Sequence, residues 1–108
     1  MADKMKEITV QELKSMRDKN EPHQLIDVRE PHEADIAQIG GELIPMGEIL
    51  QHTDKIARDK KVIVHCRSGA RSASVIGALE KQGFDNLYNL KGGILAWIKE
   101  VDPSMSTY

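Results

Sequence analysis

The stretch "VIVHCRSGARS" (62–72) passes from an apolar, β-branched run into a glycine-containing turn flanked by two arginines. Branched side chains pack well on a pleated surface, so residues 62–66 read as a short buried strand. The continuation "ARSASVIGALEKQG" (70–83) carries Ala, Val, Ile and Leu through its middle and closes on Gly83. That is the pattern of a helix with a glycine C-cap. A strand handing over to a helix through so short a turn is half of a β-α-β unit, and the same alternation recurs on either side.

Upstream, Thr9 and Glu12 stand at capping-box spacing, and Val10, Leu13 and Met16 share a stripe, which predicts a helix over 10–19. "KNEPH" breaks it, and "QLIDVR" (24–29) reads as a second short strand. "EPHEADIAQI" (30–39) predicts a helix with Pro31 in its first turn, where the missing N–H costs nothing. Gly40 and Gly41 stop it, and "ELIP" (42–45) predicts another strand. Residues 47–58 have loosely helical spacing, and 59–61 a charged turn. Downstream, "DNLYNL" (85–90) predicts a strand and "GGILAWIKE" (92–100) a last helix, with polar termini at 1–7 and 102–108. Strands separated by helices imply an α/β fold, a mostly parallel sheet of about five short strands with helices on both faces.

The composition limits the functions available. With 108 residues and 40% apolar content the chain is expected to form a single domain, its core at about 8–100. A net charge of −2 gives no overall attraction to nucleic acid or to an anionic membrane. "MADKMKEITV" is too charged for a secretory leader, no apolar run approaches a membrane span, and one cysteine forms no internal disulfide. The expectation is a soluble cytoplasmic protein, neither nucleic-acid-binding nor membrane-bound. His23, His32 and His52 show no metal-ligand spacing, so no metal or cofactor is expected.

In parallel sheets ligands sit beyond the carboxyl ends of the strands, and Cys66 stands at such an end. A free cysteine titrates near ~8.5, leaving only about 3% thiolate at neutral pH. The helix starting at Ala70 or Arg71 would aim free N–H groups at the sulfur. A turn built on Gly69 can form a nest of donors, and Arg67 and Arg71 add permanent positive charge. The hydroxyls of Ser68 and Ser72 would face an anion. The same cradle would bind an anionic headgroup, which points to a nucleophilic cysteine attacking something negatively charged. His65 alternates to the other face of its strand and reads as a structural brace. Asp27 and Arg29 end a strand expected beside 62–66, where Asp27 could bond loop N–H groups or an arginine.

Three segments, "LIDVREPHE", "VIVHCRSGARS" and "NLYNLKGGILAW", resemble in order and spacing the signatures of rhodanese-like domains. One segment departs from that family: "IAQIGGELIP" lacks the usual His and Ala before its Ile-Pro. The final segment, Trp97 included, reads as core packing. The resemblance implies a sulfurtransferase that moves sulfane sulfur from thiosulfate or a similar small anionic donor through a Cys66 persulfide. Cyanide, a thiol or a protein would accept it. Arg67, Ser68, Gly69, Ala70, Arg71 and Ser72 would form the binding loop, with Asp27 and Arg29 in support. Phosphatases and arsenate reductases of the broader fold separate Cys and Arg by five residues, whereas four lie between Cys66 and Arg71. The smaller interval suits one extra sulfur atom rather than a tetrahedral anion. A persulfide carrier and a non-catalytic binding module are the alternatives, with a cysteine-dependent phosphatase or arsenate reductase further off.

Overall fold

The structure, a computed structural model, describes residues 5–108. Its centre is β4, Lys61–His65. Val62, Ile63 and Val64 are completely buried, as expected of a parallel strand covered on both faces. Around it, β1 (Glu7–Ile8), β2 (His23–Asp27), β3 (Glu42–Leu43) and β5 (Leu87–Leu90) complete an all-parallel sheet in the order β1-β5-β4-β2-β3. The register pairs Asp27 with His65, so β2 and β4 end side by side.

Two apolar layers cover the sheet. On one face α1 (Val10–Asp18) and α4 (Gly93–Glu100) pack Val10, Leu13, Met16, Ile94, Trp97 and Ile98 over Ile63 and Leu90. On the other, α3 (Ala70–Glu80) sets Val75, Ile76 and Leu79 against Val62, Val64 and Cys66. Each fully buried aliphatic side chain contributes about 1.5–3 kcal/mol of transfer free energy, so the short sheet is held mainly by these layers. The Thr9–Glu12 capping box forms as its spacing predicts, and Arg17 lies over the Trp97 ring. Among the described residues no helix is long and apolar enough to cross a membrane.

The local differences from the sequence reading have identifiable causes. The helix expected over 30–39 is α2, Pro31–Ile36. It stops at Ala37 because that carbonyl turns out to accept a hydrogen bond from buried Arg29. Residues 47–58 form two 3-10 turns, Ile49–Gln51 and Thr53–Lys55, in place of one helix. Glu7, assigned to a polar terminus, joins Ile8 in an edge strand along β5, while residues 1–4 lie outside the described ones. The carboxyl segment also packs inward, with Met105 and Tyr108 against the layer built by α1 and α4.

Candidate active site

β4 delivers Cys66 to the floor of a loop that ends at α3. The residue is 1% exposed, yet its sulfur faces donors as well as hydrocarbon. The Gly69 N–H points at Sγ from 3.1 Å, and Ser72 Oγ lies 3.4 Å away. Gly69 has φ +112°, a left-handed conformation that glycine adopts without a Cβ penalty and that turns its N–H inward. Burial pushes the Cys66 thiol up. The main-chain N–H groups of Ser72, Gly69 and Ser68 pull it down, with Ser72 Oγ also in contact, and it settles below the ordinary thiol value.

The outer wall of the loop is held by α4. Ile94 donates its N–H to the Cys66 carbonyl at 3.0 Å, and Leu95 donates to the Arg67 carbonyl at 3.1 Å. Those carbonyls therefore face outward, leaving the N–H groups of the loop to face the sulfur. Such an approach leaves no space for a side chain at Gly93: a Cβ there would lie 2.4 Å from the Arg67 oxygen. The double glycine, read from sequence as part of a packing segment, thus shapes the loop directly, while Trp97 does pack in the core.

The remaining residues singled out from sequence fall into three groups. Ser68 and Ala70 are exposed on the rim, and Ser72 is completely buried beneath it. Arg71 does not stand free over the loop: its guanidinium holds both oxygens of Glu33 on α2, at 2.6 and 2.8 Å. That pair draws the Glu33 carboxyl down to about 2. Arg67 donates to the Tyr108 main-chain oxygen and stacks on its ring at 5.1 Å, so the carboxyl segment crosses the mouth of the loop.

Asp27 and Arg29 form a buried pair behind this wall. Asp27 takes the arginine alternative, not the loop N–H groups: its carboxylate accepts from Arg29 Nε and, at 2.7 Å, from Nη2. Arg29 is fully buried and completes its shell with the Ala37 carbonyl and the Tyr108 hydroxyl, each 2.7 Å away. The Ala37 contact comes from the segment that departs from the family pattern. His65 places Nδ1 3.2 Å from the Cys66 carbonyl, and burial lowers its pKa, keeping the ring neutral. Its Nε2 faces Asp27 at 3.8 Å without a hydrogen-bond partner among the described residues.

Sequence reasoning passed over Glu33, Asn89, Gly93 and Tyr108. Glu33 lies inside "LIDVREPHE" and Gly93 inside the double glycine, so both had a local signal. Asn89 lies inside "NLYNLKGGILAW", though its contact to Ser72 spans 17 positions, and only Tyr108, whose contact to Glu33 spans 75, had none.

Comparison with known proteins places this arrangement. The rhodanese-like domain profile matches residues 9–100. A sulfurtransferase of Allochromatium vinosum is 40% identical over 69% of this chain and 71% of its own length. "Probable adenylyltransferase/sulfurtransferase MoeZ" of Mycobacterium tuberculosis is 39% identical over 94% of this chain, which spans only 26% of MoeZ. The crystal structure of a rhodanese-like domain protein from Staphylococcus aureus superposes with a TM-score of 0.81 at 33% identity, covering 96% of this chain and 99% of that one. Relatives named as sulfurtransferases support a rhodanese-type role in sulfur transfer in general terms. With the sheet, the cysteine loop and the profile in agreement, the chain belongs to the rhodanese-like domain family.

Proposed function

We propose that Cys66 receives one sulfane sulfur from thiosulfate or a similar anionic donor and passes it to a thiophilic acceptor. In the first step the Cys66 thiolate attacks the outer sulfur of the donor. A new S–S bond forms, the donor's S–S bond breaks, and sulfite leaves with the electron pair. The persulfide that results keeps its negative charge on the terminal sulfur. In the second step cyanide, a thiol or a protein nucleophile bonds to that sulfur, and the Cys66 thiolate is released with the electrons of the broken bond.

The observation that carries this reading is the inward-facing set of N–H groups around Sγ in a loop closed after only four residues. Fixed donors of this kind stabilise charge on sulfur with little reorganisation. Arg67, half-exposed on the rim, is the cation placed to hold a sulfonate. Arg71, tied to Glu33, contributes a fixed field rather than a mobile clamp.

Intact mass after incubation with thiosulfate tests the first half-reaction. The expected result is a gain of one sulfur atom, absent in Cys66→Ala and reversed by cyanide. No gain under conditions where the thiol remains reduced would overturn the proposal.

A further inference from the structure

Asn89 stands near the end of β5, paired in register with Val64, and is buried at 5% exposure. Its carboxamide bridges the two residues whose polar groups lie nearest the sulfur. Nδ2 donates to the Gly69 carbonyl at 3.2 Å, and Oδ1 accepts from Ser72 Oγ at 2.6 Å. This orientation is dictated by chemistry. Only the NH2 end can face the Gly69 carbonyl, so the oxygen must face Ser72 and can only accept there.

Ser72 has one hydroxyl hydrogen and three neighbours competing for it. They are Asn89 Oδ1 at 2.6 Å, the Gly69 carbonyl at 3.2 Å and Cys66 Sγ at 3.4 Å. The short contact wins. The face of the Ser72 oxygen turned toward the sulfur then carries lone pairs, which suit a thiol hydrogen and offer nothing to a thiolate.

We propose that Asn89 is a positioning residue for the nucleophile, drawing the Ser72 hydroxyl hydrogen away from Cys66 so that only main-chain N–H groups serve the sulfur. The inference deepens the sulfur-transfer reading and rests on Cys66 being its nucleophile. Its consequence concerns reactivity. A thiolate stabilised by more donors is more abundant but less nucleophilic, so withholding one donor preserves attacking power while the main chain keeps the anion accessible.

Because Cys66 is the chain's only cysteine, its ionisation can be followed by ultraviolet thiolate absorbance without any donor. Titrations of the wild type, Ser72→Ala, Asn89→Ala and the double variant make a complete cycle. The charged and titratable groups around the sulfur are the same in all four. They are Arg67 and Arg71 from the loop, Glu33 from α2 behind Arg71, Tyr108 from the carboxyl segment across the mouth, and His65, Asp27 and Arg29 beneath. With Asn89 present, Ser72→Ala should leave the Cys66 pKa within a few tenths of a unit. With Asn89 replaced by Ala, the freed hydroxyl should serve the sulfur, and removing it should raise the pKa by about one unit, the size of one hydrogen bond to a charge.

A loosened loop in Asn89→Ala affects both members of that second comparison and cancels. A rise of about one unit from Ser72→Ala in the presence of Asn89 would overturn the assignment, and this variant suffices if Asn89→Ala does not fold. No effect of Ser72→Ala in either background would overturn it equally. Persulfide formation is not read here, so failure of the sulfur-transfer proposal in the mass experiment is a separate result.

Discussion

Replacing Glu33 by Gln tests whether the α2-to-loop ion pair holds the fold together. The carboxyl titrates at about 2 in the fold, against an ordinary value of 4.5, chiefly because of Arg71. At about 1.4 kcal/mol per pH unit, that difference corresponds to roughly 3 kcal/mol favouring the folded state at neutral pH. The Arg71 side chain is 34% exposed, so water screens part of this, and about 1–2 kcal/mol is the realistic loss. The sign follows from a depressed carboxyl pKa. Stabilisation is complete above 4.5 and disappears as pH falls through about 2. Urea unfolding of wild type and Glu33→Gln across this range should therefore show curves that are separated at neutral pH and converge in acid. A constant separation at every pH would refute the electrostatic account, and no separation at neutral pH would refute the pair's contribution altogether.

Gly93→Ala should cost more than about 3 kcal/mol or prevent folding, because the added methyl collides with the Cys66 and Arg67 carbonyls and φ is +61°. Chemical denaturation checks this, and a near-neutral variant would contradict the packing of α4 on the loop. Arg67→Ala should raise the thiosulfate concentration for half-maximal rate by about tenfold or more, the loss of one charged hydrogen bond, with little change in unfolding midpoint. Unchanged thiosulfate kinetics would remove Arg67 from donor binding. Tyr108→Ala removes the ring stacked on Arg67 and the hydroxyl that anchors the segment to Arg29 and Glu33, so it should loosen the remaining main-chain contact with Arg67 and lower that same half-saturation value a few-fold. A rise instead would mean that the ring helps to shape the binding mouth.

The parts legible in the sequence are those set by local periodicity. Val62 to Val64 announced the central strand, and Thr9 with Glu12 announced the start of α1, because side chains within one turn or one pleat decide such features. The cysteine loop was readable for the same reason: its glycine and following helix are adjacent in the chain. What escaped was settled by distant partners. Arg29 read as the end of a strand beside the loop, but Asp27, Ala37 and Tyr108 together satisfy it in full burial. The pairing of Arg71 with Glu33 crosses 38 positions and redirects a side chain that local reasoning aimed at the ligand. The two-residue strand Glu7–Ile8 carries too few side chains to show a pattern.

The placement of Tyr108 bears on how the protein can be handled. Its ring, hydroxyl and main-chain oxygen are all engaged beside the thiol loop. A purification handle or fusion partner spliced on after it would therefore emerge from the cleft rim itself. Kinetics gathered on such a fusion would report on the linker as well as the loop. Material that ends at Tyr108, or is tagged at the amino side where the chain joins the sheet through its edge strand, avoids that interference.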